Sequence, residues 1–197
     1  MHFDEMAMTW DTQKRWERAQ MLSAAIKDSW SDTPKAVLDF GCGTGLLTFA
    51  LAPYAGAVYG YDTSTEMQRV FQEKQNSDPS KNVQFVTVEA MESMAYDVIF
   101  SSMVLHHIPN INATISGLKR LLAPNGVFLW IDLDAEDGTF HKNEPDFRGH
   151  NGFSRHEVQR TLQNCGFSEV NIKNVYEGEK AIDGKPMAYS LFLAAAR

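Results

Sequence analysis

The sequence predicts an α/β fold built on a doubly wound, mostly parallel sheet. Short apolar segments alternate along the chain with segments of helical periodicity, the pattern of β-α-β units. Several of these runs are apolar at almost every position, as expected for strands that are covered on both faces. The chain has 197 residues, of which 44% are hydrophobic and 22% charged, a composition typical of one globular domain. We therefore expect a single domain.

The first half of the chain supplies two strands and three helices. Apolar positions at helical spacing, glycine turns and prolines predict helix 11–29, strand 36–40, helix 46–55, strand 57–62 and helix 63–75. Thr63 and Glu66 have the spacing of a capping box, so the third helix is expected to start directly after Asp62.

The second half supplies the remaining strands. The pattern predicts strands 82–89 and 96–104, helix 111–123, strand 127–134, helix 154–166 and strands 168–177 and 186–196. Ser154 and Glu157 form a second capping-box pattern. Residues 178–185 are interpreted as a hairpin loop that makes the last strand antiparallel. The polar loop 134–152 is longer than most connections, and loops of that size are often functional.

Charge and cysteine content exclude several classes of protein. The net charge of −7 disfavours a nucleic-acid groove, which normally shows a basic excess. Cys42 and Cys165 have neither metal-ligand spacing nor the density of a disulfide scaffold. No signal-peptide pattern and no apolar run of about 20 residues is present. These observations predict a cytoplasmic protein that neither enters a membrane nor binds nucleic acid.

A glycine-rich turn follows the first predicted strand. Gly41, Gly43 and Gly45 lie where the strand gives way to a helix, at the sheet edge where doubly wound folds bind ligands. Small residues there allow a ligand close to the backbone and to the free N–H groups of the helix. Asp62 ends the second strand, 21 residues after Gly41, and a carboxylate there can accept both hydroxyls of a ribose. The third glycine comes one residue earlier than in a G-x-G-x-x-G fingerprint, which disfavours a dinucleotide.

With these residues the chain resembles the class I S-adenosylmethionine-dependent methyltransferases, in particular the small-molecule group that includes ubiquinone and menaquinone enzymes. The segments that carry the resemblance are VLDFGCGTG, VYGYDTS, YDVIFSSMVLHHI and LKRLLAPNGVFLWID. The resemblance implies a Rossmann-like, seven-stranded sheet in the order 3-2-1-4-5-7-6, with the last strand antiparallel and helices on both faces. It also implies that residues 1–33 form an N-terminal cap helix or lid and residues 34–197 the cofactor-binding core.

The resemblance also implies the cofactor, S-adenosylmethionine, and the residues that hold it. The glycines and Asp39 would lie beside its methionine part, the second-strand acid on its ribose, and residues 89–91 on its adenine. The implied cofactor-binding residues are Trp10, Asp39, Gly41, Gly43, Gly45, Asp62, Thr63, Glu89, Ala90, Met91, Ser101 and Ser102. Arg15 is a further candidate at the methionine end. The alternative for the N-terminal aromatic residues is that they simply bury one face of a helix.

The candidate catalytic groups are histidines and acids near the carboxyl ends of the strands. Methyl transfer from a sulfonium needs mainly alignment, and positioning alone can lower a barrier by about 7–11 kcal/mol. A base is needed only if the acceptor is a hydroxyl, an acidic carbon or a protonated amine. The candidates for base or substrate contact are His106, His107 and His150, His141 is a further candidate for substrate contact, and the alternative for each is a packing role. Asp132 and Asp134 are also expected to face the crevice.

No metal site is predicted. Ser101 stands where a catechol-type enzyme would have an acid, and two cysteines are too few for arsenite-type chemistry. We therefore expect transfer of a methyl group to oxygen, carbon or nitrogen of a small-molecule acceptor, in a protein that could form a homodimer. Two alternatives stay open at this point: a non-catalytic S-adenosylmethionine-binding module and, less favoured, a nicotinamide-dependent oxidoreductase.

Overall fold

The computed structural model describes residues 2–30, 32–78, 80–144 and 146–197, so Met1 and Ser31 of the predicted cap segment lie outside the described residues. The strands are β1 Ala36–Phe40, β2 Ala57–Tyr61, β3 Val83–Phe85, β4 Tyr96–Ser102, β5 Leu122–Leu133, β6 Val170–Ile182 and β7 Lys185–Ala196. The α-helices are α1 His2–Met6, α2 Gln13–Lys27, α3 Leu46–Leu51, α4 Thr65–Ser77, α5 Val88–Glu92, α6 Ile111–Arg120 and α7 Arg155–Asn164.

The strands form one sheet in the order β3-β2-β1-β4-β5-β7-β6. The first five strands in this order are parallel to one another, whereas β7 runs antiparallel to both β5 and β6. The predicted fold class, strand order and antiparallel last strand are confirmed.

Helices cover both faces of the sheet, because alternate residues of each buried strand point to opposite sides. Val37 and Val98 pack with Leu22, Ile26 and Leu51 of α2 and α3 on one face. The next residue of each strand belongs to the core on the opposite face, where α5, α6 and α7 supply Met91, Ile115, Leu118, Val158 and Leu162. Both cores are almost fully buried.

The order in which the chain adds strands across the sheet reverses at β1, which pairs with β2 on one side and β4 on the other. From β1 the chain runs outward to β3, then returns and continues from β4 in the opposite direction. Such a switch point leaves a crevice outside the carboxyl ends of the two central strands. The fold therefore places the ends of β1 and β4 at the position for a ligand.

Two predicted elements near the site are corrected. Strand 82–89 ends at Phe85, because Thr87 caps α5 by accepting a hydrogen bond from the Ala90 amide at 3.3 Å. The cap of α4 is Ser64 rather than Thr63, since the Ser64 hydroxyl accepts from the Met67 amide at 3.2 Å.

The capping box that begins α7 is confirmed. The Ser154 hydroxyl accepts a hydrogen bond from the Glu157 amide at 3.2 Å, and the Glu157 carboxylate accepts from the Ser154 amide at 2.9 Å.

The closing hairpin is longer than predicted. Residues 178–182 and 185 belong to β6 and β7, and the turn consists of Asp183 and Gly184, both with positive φ (51° and 74°). An Asp-Gly pair with left-handed backbone is a favoured two-residue hairpin turn. The distal end of the hairpin contacts the long loop, where the Lys180 ammonium donates to the Phe140 carbonyl at 2.6 Å.

No helix within the described residues is both long and apolar enough to cross a membrane.

The position of the α4 cap can be tested by two neighbouring substitutions. Ser64→Ala should lower the free energy of unfolding by about 0.5–2 kcal/mol, because it removes the cap of the Met67 amide together with the hydrogen bond that the Ser64 hydroxyl donates to Asp4. Thr63→Ala should change it by no more than about 0.5 kcal/mol. Urea denaturation measures both, and a larger loss for Thr63→Ala would restore the capping box that the sequence predicts.

Candidate active site

A cavity of about 390 Å³ lies at the carboxyl ends of β1 and β4, beneath the N-terminal segment. Residues from both sides of the switch point meet in its wall, together with residues of the segment that precedes the sheet. Among the predicted site residues, those that line the cavity are Trp10, Asp39, Gly41, Gly43, Asp62, Thr63, Ser102 and His107.

Glycine is required at the three positions of the turn by different constraints. All three have positive φ, from 54° to 85°, which side chains disfavour. A Cβ at Gly41 would approach Val104 to 2.4 Å, and one at Gly45 would meet Phe71 at 2.7 Å. Gly43 faces the cavity, where the nearest atom to an added Cβ is 3.8 Å away. Gly45 lies outside the cavity lining, so packing and backbone conformation explain it.

Asp62 joins the glycine turn to the start of α4. One of its carboxylate oxygens accepts from the Gly43 amide at 2.7 Å and the other from the Ser64 amide at 2.9 Å. Burial raises the pKa of Asp62, and these backbone hydrogen bonds oppose the shift. The carboxylate is thus held rigidly in the cavity wall.

Asp39 is a second, more deeply buried carboxylate in the same wall. It is 2% exposed and accepts a hydrogen bond from the Thr48 hydroxyl at 2.7 Å. Burial raises the pKa of Asp39 to about 7; the Thr48 hydrogen bond opposes this shift, and the nearby Asp62 charge adds to it. A cationic group of a ligand would stabilise the ionised form of this carboxylate.

The N-terminal segment forms the roof of the cavity. Phe3, Trp10, Arg15 and Arg18 all line it. The Arg15 guanidinium lies 3.8 Å from the centroid of the Trp10 ring and donates to the Trp10 carbonyl at 3.0 Å. Trp16, in contrast, is half exposed and does not bury a helix face.

Two aspartates fasten this roof to the sheet. The Asp4 carboxylate accepts from the Ser64 hydroxyl at 2.6 Å, and the Asp11 carboxylate accepts from the Thr44 hydroxyl at 2.5 Å. Asp11 also forms an ion pair with Lys74. The roof is therefore attached to the same loops that carry the glycines and Asp62.

The adjacent histidines after β4 differ in their access to the cavity. His107 lines the cavity and contacts the Phe3 ring edge-on, with centroids 5.0 Å apart. His106 is 1% exposed and lies outside the lining, with its Nδ1 atom 2.5 Å from an Asp132 carboxylate oxygen. His150 also lies outside it, and its Nε2 atom is 3.1 Å from the Ile108 carbonyl. Of the candidate histidines, His107 is thus the one that lines the cavity.

The two acids that end β5 are not crevice residues, so that expectation is wrong. Asp132 is fully buried; burial alone would raise its pKa, but the charge and hydrogen bond of His106 lower it. Asp134 forms an ion pair with Arg155 at 3.1 Å and accepts from the Ser190 hydroxyl at 2.7 Å.

The remaining predicted residues lie away from the cavity lining. The Ser101 hydroxyl is buried and donates to the Phe40 carbonyl at 3.0 Å. Glu89 is exposed on α5, whereas Met91 packs in the core. The adenine role of residues 89–91 therefore stays a prediction.

Tyr61 and Arg18 are among the lining residues that the sequence did not predict. Tyr61 lines the cavity and stacks on Phe40, with centroids 5.6 Å apart. Arg18 also lines it, and its guanidinium donates to the Tyr189 hydroxyl at 3.1 Å. One signal was present for Arg18, because it lies three residues after Arg15 and hence on the same helix face.

The fold, with its cavity at the switch point and an acid ending β2, defines a Rossmann-like methyltransferase. The family model of the methyltransferase domain matches residues 13–172. The chain belongs to this family and so to the S-adenosylmethionine-dependent methyltransferases.

Two curated relatives and one solved structure illustrate the similarity. The malonyl-acyl-carrier-protein O-methyltransferase of Halalkalibacterium halodurans is 30% identical over 92% of this chain and 74% of its own length. An uncharacterized methyltransferase of Schizosaccharomyces pombe is 28% identical over 75% of this chain, which spans 58% of that relative. The structure of DhpI with SAM and HEP is 20% identical, with a TM-score of 0.73 over 100% of this chain and 94% of that one. These comparisons give no support to the oxidoreductase or the non-catalytic alternative.

The buried Asp39 should make the cofactor-free protein less stable as pH rises. An unfolded aspartate has a pKa near 4, so stability is lost as pH rises from about 4 to about 7, and the penalty is complete above that range. Asp39→Asn removes the buried charge and should stabilise the cofactor-free protein at pH 8 by roughly 1–4 kcal/mol, with little effect at pH 4.

Thermal unfolding at pH 4, 6 and 8 measures this difference. Asp137→Asn is the control, because Asp137 is an exposed-loop carboxylate whose pKa is lowered by its hydrogen bonds to Thr139. If Asp39→Asn instead destabilises the protein at pH 8, the contacts of the carboxylate within the fold outweigh the cost of burying its charge, and the prediction is wrong.

Proposed function

We propose that this protein binds S-adenosylmethionine in the cavity and transfers the methyl group to an oxygen atom of a small, partly apolar molecule. The observation that carries the proposal is the Asp62 carboxylate, held by two backbone amides in the wall of a cavity at the switch point of the sheet. A carboxylate at the end of the second strand is suited to a ribose diol.

The charges in the cavity wall fit the cofactor. Asp39 would hold the ammonium group, since its hydrogen-bond donor in the fold is the neutral Thr48 hydroxyl and burial has raised its pKa to about 7. Arg15 and Arg18 enter from the roof and would hold the carboxylate of the methionine part. Asp62 would hold the ribose. The wall thus offers a negative group for the cation and positive groups for the anion.

The bound cofactor would supply a methyl group already activated by the sulfonium charge. The chain's own contribution is then to align the acceptor with that methyl and to exclude water. Phe3 and Trp10, whose rings contact edge-on at 5.8 Å, close the cavity from above. The hydrogen bonds of Asp4 and Asp11 hold this roof in place.

The acceptor would lie against Phe3, Met103, His107 and Ile108, which line the same cavity. Three of these side chains are apolar, which favours an acceptor with an apolar body. His107 is the one histidine in the lining among the described residues, and it would hydrogen-bond the reacting oxygen. Transfer to oxygen is also the activity named for the Halalkalibacterium relative. The cytoplasmic location and the homodimer stay predictions.

Calorimetric titration with S-adenosylmethionine and with S-adenosylhomocysteine tests the proposal. Both should bind at one site per chain. Asp62→Asn should weaken the binding of both by about 1–3 kcal/mol, the effect of removing a charged hydrogen-bond acceptor from a buried site. The exposed control Asp137→Asn should bind as the wild type does.

Thermal unfolding of each variant shows whether a loss of affinity reflects a loss of folded protein. Failure of the folded wild type to bind either compound would overturn the proposal. Binding without transfer of a radiolabelled methyl group to a panel of hydroxyl and carboxyl compounds would favour the non-catalytic module.

Cofactor affinity should depend on pH through Asp39. The ammonium group requires the ionised carboxylate, and with a pKa of about 7 the ionised fraction rises roughly tenfold between pH 6 and pH 8. Binding of S-adenosylhomocysteine should therefore be about tenfold tighter at pH 8. Asp62, with its raised pKa, acts in the same direction. In Asp39→Asn the affinity should be weaker and largely independent of pH; an unchanged pH dependence would assign it to other groups.

A further inference from the structure

Three imidazole rings meet beside the cavity, although they come from two distant parts of the chain. His106 and His107 lie on the 3-10 turn Leu105–His107 after β4, and His141 lies in the loop 134–152. Their ring centroids are 4.1, 5.0 and 5.4 Å apart. One nitrogen from each ring lies within 4.8 Å of the other two. Histidine is the most common metal ligand, and three converging imidazoles form a recognisable ligand set.

We propose that His106, His107 and His141 bind a divalent transition metal of the zinc type, next to the position of the methyl acceptor. Tetrahedral Zn²⁺ with Zn–N distances of about 2.0–2.1 Å requires nitrogens about 3.3 Å apart, so the rings must approach by up to about 1.5 Å. This proposal departs from the sequence-based prediction, which gave no metal site. The spacing within the sequence gave no indication, because His141 is 34 residues beyond His107.

Asp132 orients His106 as a metal ligand. Its carboxylate accepts from the His106 amide at 3.1 Å and lies 2.5 Å from His106 Nδ1. The Trp130 indole and the Leu133 amide also donate to Asp132, at 3.2 and 2.9 Å, which fixes its position. A proton on Nδ1 leaves the lone pair of Nε2 for a metal. A carboxylate behind a histidine in this way orients the ring and strengthens it as a ligand.

The surroundings hold His106 and His141 in a largely buried pocket. His106 and His141 are 1% and 5% exposed, and Phe147 stacks flat on His141 with centroids 3.8 Å apart. Two hydrogen bonds hold the loop that carries His141. The His150 amide donates to the His106 carbonyl at 2.7 Å, and the Lys180 ammonium on β6 donates to the Phe140 carbonyl at 2.6 Å. The buried Asp132 carboxylate offsets part of the charge of a divalent cation.

His107 connects this cluster to the cavity, because its ring belongs to both. Three protein ligands leave a fourth position open, which is the arrangement of catalytic zinc sites. A role for this open position in methyl transfer rests on the proposed function. Metal coordination would then take the place of the His107 hydrogen bond to the acceptor oxygen, and an acceptor hydroxyl bound there would lose its proton to water in the cavity more readily. The oxygen lone pair would then form the bond to the methyl carbon as the carbon–sulfur bond breaks, and that electron pair would stay on sulfur.

Metal titration of the whole chain, stripped with a chelator, tests the site directly. Calorimetry with ZnCl₂ should show one saturable site, and CoCl₂ should give the visible absorption of a tetrahedral complex. His141→Ala and His107→Ala should each weaken zinc binding by at least roughly 10–100-fold, the range for loss of groups that support a metal site. His156→Ala should not, because His156 is exposed on α7.

Each outcome separates the metal site from the proposed function. Thermal unfolding, measured with chelator present, shows that each variant is folded, and S-adenosylhomocysteine binding by the wild type tests the proposed function separately. The absence of a saturable zinc site in the wild type, or equal binding by all variants, would overturn the metal site while the proposed function stands. Zinc binding that requires the two histidines, in a protein that does not bind S-adenosylhomocysteine, would support the site and remove its role in methyl transfer.

Discussion

The hydrogen bond from the Gly43 amide to Asp62 is the contact on which the cavity depends, because it joins the ends of β1 and β2. The Gly41 and Cys42 amides both donate to the Tyr61 carbonyl, at 2.7 and 3.0 Å, and complete the junction. This turn needs left-handed backbone at three positions, which glycine adopts without steric penalty. The junction places the Asp39 and Asp62 carboxylates in one wall, where the Asp62 charge adds to the rise in the pKa of Asp39.

The same junction supports the roof. Ser64 donates its amide to Asp62 and its hydroxyl to Asp4, so one residue links β2, α4 and the N-terminal segment. Thr44, within the glycine turn, similarly holds Asp11, and Lys74 donates to the Thr44 carbonyl at 2.9 Å. Closure of the cavity is thus a consequence of how the loops at the sheet edge are built. The buried carboxylates there weaken the fold and at the same time prepare it for a cationic ligand.

Much of the fold could be predicted from sequence because apolar periodicity and capping patterns are local signals. The fold class, the strand order that the resemblance implied and the cap of α7 are confirmed. The cap of α4 could not be settled this way, since Thr63 and Ser64 are adjacent and both suit an N-cap. The Asp183-Gly184 pair is typical of a two-residue hairpin turn, so the longer hairpin could have been predicted within residues 178–185, which were interpreted as a loop. The burial of Asp132 and the pairing of Asp134 depend on tertiary contacts, and periodicity carries no information about those.

The two ends of the cavity are formed by different kinds of structural element. The cofactor end is formed by neighbouring parallel strands, so its residues follow strand ends and can be recognised in the sequence. The end at which we propose that the acceptor binds is lined by the N-terminal segment and the turn after β4. The loop 134–152, which the distal hairpin holds through Lys180, packs behind that turn. Loops held by a rigid scaffold can change without disturbing the core. An acceptor end made of such parts can adapt to a different substrate while the cofactor end stays the same, which is why the motifs identify a methyltransferase but not the molecule that it methylates.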